Sequence, residues 1–590
     1  MTPLPVITGF GGISPAGRSS AHRGYSRLVE SALAETERLA LIASLKGLSG
    51  ATTPDEHLLS NTLVRSLEST LFDPQAQRVH RETVLSQANG PDLAVLVPDT
   101  LAAKVTSAGQ LPSGFDPAAL YASRNHPRAL QMTVYGASDA INSLGIDWRA
   151  IRATVAPDAI SVYAGNCMGQ LDQGGFGGML QARLLGRKIT SKQLPLGLTE
   201  MPADFINAYL LGNLGTTGTS AAACATFLYN LRQGILDIRS GSARVAIVGT
   251  SEAPLVPEVF EGFNVMGALG ADAKLRALDG LAADAEFDSR RACRPFGDNC
   301  GFTLAESSQF VVLMDDSLAL ELGANILGSV SDVFINADGF KKSIASPGVG
   351  NYLTMAKAVA SARAVVGERS LGTRCLVQAH GTGTPQNRVS ESAILDRIAA
   401  EFGIDNWQVS AVKAFVGHSL ASSGGDQLMA TLGLWQHGII PGIETVTALA
   451  DDVSKQHLDF VLRHRHVGTE GIDVALLNSK GFGGNNATAT VLAPHITRRL
   501  LAARHGAKAT DYHQQRNESV REAAADYDRA ASSGDHRILY HFDNNVMDEA
   551  ALSFSYAQDH TPLAVSVGRD RPSVPLNLSS PYAGLLGEAQ

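Results

Sequence analysis

The sequence predicts a two-part α/β protein, and three observations carry that expectation. Short β-rich runs ending at glycine or acidic turns alternate with helical segments, as βαβ units do. They lie at 6–13, 160–165, 244–249 and 310–314, and again at 326–334, 374–378, 408–412, 474–478 and 487–492. The rhythm therefore runs twice, which predicts two similar halves. Hydrophobic residues make up 44% of the chain and charged ones 18%, with 58 glycines, a balance that suits a loop-rich globular enzyme and excludes a fibrous or disordered chain.

At 590 residues the chain is long enough for large cores and more than one domain. The elements follow in order. The opening 6–13 reads as a buried strand entering a glycine turn. Residues 21–47 are expected to be helical, 48–127 to form an insertion with apolar runs such as 93–97, and 129–144 to be helical again. From about 497 the character changes: 511–531 reads as a polar helix and 538–542 as strand-like, an appendage expected to be surface decoration or a subunit contact. The expected boundaries are 1–320, 321–496 and 497–590.

A net charge of −9 argues against broad attraction to nucleic acid or an anionic membrane, so an acidic partner would need a local basic patch. The five cysteines (Cys167, Cys224, Cys293, Cys300 and Cys375) are odd in number and include no CxxC pair. No disulfide framework or metal site is expected, and a reducing, cytoplasmic compartment is the simplest account. No basic segment precedes an apolar run at the N-terminus, and no stretch of about 18 apolar residues occurs, so neither a signal peptide nor a membrane span is expected. The glycine-rich pieces at 9–12 and 481–484 do not spell a dinucleotide fingerprint between a strand and a helix.

The stretch 218–235 sets Cys224 among Gly218, Ala221, Ala222, Ala223 and Ala225, ahead of apolar residues at helical spacing and a stop at Ser240-Gly241. A cysteine at a helix start is favoured as thiolate by the unpaired N–H groups and the macrodipole. By itself the stretch fits a small core cysteine equally well. His380 lies just beyond one predicted strand, and Lys413 and His418 lie beyond another. Catalytic groups gather at such carboxyl ends, and two loop histidines with a helix-start cysteine make a nucleophilic site the better reading.

The motifs, taken in order, resemble those of the β-ketoacyl-acyl-carrier-protein synthases of the thiolase superfamily, to about residue 495. They are Val6-Ile-Thr-Gly-Phe-Gly, the Cys224 elbow, Arg294-Pro-Phe with Gly301-Phe-Thr-Leu-Ala-Glu, His380-Gly-Thr-Gly-Thr-Pro with Glu391, Lys413 with Gly417-His418, and Asn478-Ser-Lys-Gly-Phe-Gly-Gly. A His/His pair is nearer the elongating-type synthases than the chalcone-synthase branch. The insertion, the loop 333–342 and the C-terminal tail look like the FabY-type synthases. The resemblance implies a thiolase fold, two mixed β-sheet/α-helix halves in layered αβαβα order.

It also implies a decarboxylative Claisen condensation of an acyl primer with malonyl-carrier protein. In FabY-type enzymes the primer is acetyl-CoA; an elongating enzyme would use acyl-carrier protein. Cys224 would be acylated, with the N–H groups of Cys224 and Phe482 as oxyanion donors. His380 and His418 would hold the malonyl carbonyl, with Lys413 beside them. Phe482, between Gly481 and Gly483, would gate the acyl pocket, and Thr382 and Thr384 would hold the pantetheine arm. Implied partners are acyl carrier protein, acetyl-CoA or another short acyl thioester, and a second subunit. No cofactor is implied; substrates ride on CoA and on phosphopantetheine.

Arg183, Arg187, Lys188 and Lys192 form the clearest basic cluster, and Arg187-Lys188 falls where relatives contact their carrier; an ordinary solvated face is the competing reading. Lys192 and Gln193 lie near where elongating relatives place apolar acyl-pocket residues, which hints at a short primer. Departures from the family pattern are Arg388 for an acid, Ala421-Ser-Ser-Gly424 for Gly-Ala-Ala-Gly, Lys480 for an apolar residue, and Gln427 for the glutamate that pairs with the lysine, leaving the partner of Lys413 open. Ser419 in Gly417-His-Ser-Leu-Ala421 resembles a hydrolase elbow without its last glycine. A thiolase would need a late second cysteine, and none follows Cys375; a non-catalytic partner subunit would lack Cys224.

Overall fold

The structure is a computed structural model that describes residues 2–50, 52–68, 103–183, 185–344, 346–544, 546–568, 571–578, 580 and 582. Most of the middle of the expected insertion, with the run at 93–97, lies outside the described residues. Around it, Val64–Ser66 pairs antiparallel with Ser107–Gly109.

Eleven strands form the main path of the sheet. They are β1 (Pro5–Ser14), β2 (Ile160–Gly165), β3 (Thr217–Gly218), β4 (Val245–Glu252), β5 (Ser307–Asp315), β6 (Gly328–Ala337), β7 (Cys375–Gln378), β8 (Trp407–Ser410), β9 (Leu458–Phe460), β10 (Val474–Gly481) and β11 (Asn485–Leu492). Their spatial order is β9-β8-β7-β10-β11-β6-β1-β5-β4-β2-β3. Read outward from the centre, the arrangement repeats: β1-β5-β4-β2-β3 on one side and β6-β11-β10-β7-β8 on the other. The two sides meet where β1 and β6 pair at Val6↔Ser329 and Ile7↔Gly328. Every residue of β1, β4 and β5 is buried. That is why these strands read as near-continuous apolar or small-residue runs rather than alternating ones.

Helices complete the layers. Helix α1 (Arg128–Asn142) covers β1 and β5 from outside, and α3 (Gly350–Thr373) covers β6 and β11. Helices α2 (Thr226–Ser240) and α5 (Ser423–His437) pack on each other. Helix α5 is buried at all but its last two residues. The expected helix over 21–47 is broken into Arg23–Leu28 and Glu35–Ser49, because Leu33 and Ala34 are extended.

The C-terminal appendage is more than decoration. The helix Pro494–Ser532 kinks at Gly506 and lies against the body. Its Tyr527 is buried and donates to Asp139 Oδ1 at 2.8 Å. Asp528 pairs with the fully buried Arg18 and, at 2.5 Å, with Arg23. Residues 538–542 form no strand; Leu539 and His541 instead donate backbone N–H groups to Ser138 Oγ and Tyr209 O. Among the described residues no helix is long and apolar enough to cross a membrane.

Candidate active site

Cys224 occupies a tight turn, Ala223–Ala225, that opens α2. Ala223 is held at φ 49°, left-handed backbone that costs an alanine roughly 1 kcal/mol. The turn is fixed from two sides. Thr226 Oγ1 accepts from Ala222 N at 2.9 Å and donates to Ala223 O at 2.7 Å, and Ser423 Oγ on α5 donates to Cys224 O at 3.1 Å. Ser423 is one of the two serines that depart from the family pattern; the other, Ser422, donates to Ser307 O at 2.9 Å.

The histidines come from the opposite half. His380 follows β7. Its N–H and that of Gly381 donate to Glu391 at 2.7 and 2.8 Å, from helix α4 (Pro385–Phe402). Asn387 and Asn478 also donate to that buried carboxylate, at 2.9 and 2.7 Å, so the His380 loop is anchored by four N–H donors on one acid. His418 follows the short helix Lys413–Val416, and its Nε2 lies 3.1 Å from Cys224 Sγ. The two imidazoles stand edge to face, with centroids 5.4 Å apart.

Burial holds both imidazoles well below the usual histidine range, and the Lys413 charge adds to it, so both are neutral near pH 7. Both Nδ1 atoms are buried without a hydrogen-bond partner. A bare acceptor is tolerated there better than a bare donor, and we assign the ring protons to Nε2 on that ground. Two neutral N–H donors beside one sulfur can bind an oxyanion or an enolate.

The thiol differs from expectation. Burial pushes Cys224 up to about 12, Glu252 adds to this, and only the Lys413 charge and local hydrogen bonding oppose it. The helix start is present, but desolvation outweighs it.

Cys224, His380, His418, Thr382, Thr384, Gly481 and Phe482 all line one cavity of about 380 Å³, together with Phe263 and Phe302. Thr382 and Thr384 share a hydroxyl contact at 3.1 Å. Phe482 is 36% exposed and stacks near Phe263 at 6.1 Å. Gly481 runs so close to the Cys224 turn that a Cβ there would meet Ala222 O at 2.3 Å, and Gly483 turns the chain at φ 85°. Lys413 is not in the cavity wall. It lies behind His380 and donates to His380 O at 2.7 Å, which supplies the partner the sequence left open. Gln427 instead holds three backbone carbonyls, of Gln378, Ala379 and Asn478.

Other residues singled out in the sequence lie elsewhere. Ser419 is fully buried and donates to Asp426 at 2.5 Å, outside the cavity, which removes the hydrolase reading. Arg388 faces away to a bidentate pair with Asp452 at 2.8 and 3.0 Å. Lys192 is exposed, and the Gln193 side chain bonds Thr190 N and Gln173 O; neither lines the cavity. Arg183, Arg187, Lys188 and Lys192 are all exposed and lie apart from the cavity wall.

One pair was missed. Cys167 donates its thiol and its N–H to Glu252, each at 2.9 Å, and burial pushes the Glu252 carboxyl up to about 7. Cys167 follows β2 and Glu252 ends β4, neighbouring parallel strands, so the carboxyl-end rule applied to the first half would have found them.

The model of the β-ketoacyl synthase N-terminal domain matches residues 97–319, and that of the C-terminal domain matches 327–447. The β-ketoacyl-[acyl-carrier-protein] synthase FabY of Pseudomonas aeruginosa is 48% identical over 95% of this chain and 97% of its own. The chain belongs to the β-ketoacyl synthase family. It is an acyltransferase that performs the condensation of fatty acid synthesis. The crystal structure of the noncanonical ketosynthase FabY from P. aeruginosa superposes on this synthase with a TM-score of 0.92, at 45% identity over 99% of both chains. The ketoacyl synthase alpha subunit of the tetracenomycin polyketide synthase from Streptomyces glaucescens is 26% identical over 63% of this synthase and 83% of its own chain.

Proposed function

We propose that this synthase starts chains: Cys224 takes an acetyl group from CoA and joins it to malonyl-carrier protein. The observation that carries the condensation is the convergence of Cys224 Sγ and His418 Nε2 at 3.1 Å with His380 alongside, in one cavity. Cys224 sulfur attacks the acetyl thioester, its proton ends on the departing CoA thiol, and the acetyl group stays as a new thioester. The N–H groups of Cys224 and Phe482 hold the developing oxyanion. Malonyl thioester then enters along Thr382 and Thr384. The bond from its α-carbon to the carboxylate breaks, carbon dioxide leaves, and the electron pair becomes an enolate held by Nε2–H of His380 and His418. The enolate carbon attacks the acetyl-cysteine and the thiolate departs, giving the 3-ketoacyl carrier product.

The Cys167–Glu252 pair supports a short primer. Cys167 belongs to the apolar cluster around Cys224, and a carboxyl behind that cluster opposes burial of an alkyl chain. Mass spectrometry of the protein offered acyl-CoAs of graded length tests this. The expected result is acylation by acetyl-CoA that falls as the acyl chain lengthens toward the Cys167–Glu252 pair. Efficient acylation by long-chain acyl-carrier protein would refute the starting role and favour elongation.

The carrier is proposed to dock over Arg183, Arg187, Lys188 and Lys192. Leu180, Ile189 and Leu194 are exposed among these bases, a mixture that suits an acidic partner with an apolar face. The face connects to the cavity: Gln181 hydrogen-bonds Glu258 on the helix Pro257–Val265, which carries Phe263 to the cavity wall. Arg187→Glu with Lys188→Glu is expected to raise KM for malonyl-carrier protein about tenfold at low salt and less at high salt, with acylation by acetyl-CoA intact. Equal loss of both steps would count against it.

A further inference from the structure

The cavity holds a cation that the reaction as described does not use. Lys480 sits near the end of β10, one residue before Gly481, where the family pattern has an apolar or aromatic side chain, and it lines the same cavity as Cys224 and the histidines. Its Nζ donates to two neutral oxygens, Ser390 Oγ at 3.1 Å and Asn387 Oδ1 at 3.5 Å. Among the described residues it makes no ion pair. The carboxylates nearest to it are taken: Glu391 accepts four N–H groups, and Asp338 accepts from Lys341 at 3.3 Å, Asn486 at 2.8 Å and Gly350 N at 3.1 Å. Neighbouring Lys341, by contrast, is bound to Asp338 and to Ser346 O. A half-buried ammonium without a carboxylate partner is costly to keep unless an anion visits it.

We propose that Lys480 binds the carboxylate of the malonyl group and so distinguishes the extending substrate from the primer. This rests on the condensation reading given above. Its partners Asn387 and Ser390 both lie on α4, the helix that follows the His380 loop, so the ammonium stands on the His380 side of the cavity. That is the side on which a malonyl group held by both imidazoles can place its carboxylate clear of the acyl-cysteine. Acetyl groups have no charge to offer there. When the α-carbon to carboxylate bond breaks, the electron pair passes to the enolate and the fragment leaves as neutral carbon dioxide. The contact is thus lost as the barrier is climbed. It favours binding over rate, and its removal is expected in KM with kcat level or raised.

The test compares the two half-reactions of Lys480→Met. Loss of one charge-assisted hydrogen bond predicts a rise of about tenfold in KM for malonyl-carrier protein. Cys224 acylation by acetyl-CoA, read by mass spectrometry on the same sample, shows that the variant is folded and that the thiol reacts. Lys480→Arg, which keeps the charge, is expected to restore most of the malonyl affinity. An unchanged malonyl KM in Lys480→Met would overturn the proposal. So would an equal loss of acetyl transfer and condensation, because both substrates carry the pantetheine phosphate and only one carries the carboxylate. Absence of any acetyl-cysteine in the unmutated protein would instead sink the underlying mechanism.

Discussion

Cys224→Ala is expected to lower carbon–carbon bond formation by at least about 10⁴-fold while carbon dioxide release from malonyl-carrier protein persists. The two outcomes separate because the site is divided between the halves of the fold. Cys224 stands on the turn before α2, and His380 and His418 stand after β7 and after the helix Lys413–Val416. Removing sulfur abolishes acyl storage, since among the described residues no other side chain in the cavity wall is a thiol. It leaves the His380 loop untouched, because that loop is anchored on Glu391 and not on Cys224. Labelled carbon dioxide and 3-ketoacyl product, followed in one assay, would show the split. A variant that still joined carbon to carbon at an undiminished pace would end the assignment of Cys224 as nucleophile.

Much of this site could be read from residues alone, and the reason is local. Cys224, His380 and His418 each follow or precede a regular element with small residues around them, so sequence spacing carries their positions. The strands were likewise visible, because β1, β4 and β5 are buried on both faces and keep near-continuous apolar runs. What sequence could not carry is whatever depends on depth. The helix start at Cys224 suggests a thiolate, yet burial holds the thiol at about 12. Gln427 looks like a displaced partner for Lys413, yet it spans three carbonyls that are distant in sequence. The tail reads as a polar appendage, because buried contacts such as Tyr527 with Asp139 and Asp528 with Arg18 join residues about 390 and 510 positions apart.

Lys413→Met is the second variant with a large expected effect, and it acts on folding and chemistry together. The ammonium is 1% exposed and donates to His380 O at 2.7 Å. Burial holds it below the usual lysine range, while Cys224, Glu391, Asp426 and Cys293 pull it back up. Methionine keeps most of the length and removes the charge. The His380 carbonyl then has no donor, and two buried acids lose their neighbouring cation. Leaving a buried acceptor without its donor typically costs about 1–3 kcal/mol. The acids keep their own donors, four on Glu391 and three on Asp426, so the expected loss is about 2 kcal/mol, from the His380 carbonyl. It should appear as a lower urea midpoint at unchanged slope. The chemical effect has a definite sign. Lys413 is the charge that holds the Cys224 thiol down against burial, so its removal raises the thiol further and leaves less thiolate at any pH. Iodoacetamide should therefore alkylate Cys224 more slowly in Lys413→Met, and the rate should rise with pH along a curve displaced toward alkali. A variant that unfolded at the same urea concentration and alkylated at the same pace would show that the lysine neither supports the His380 loop nor tunes the sulfur.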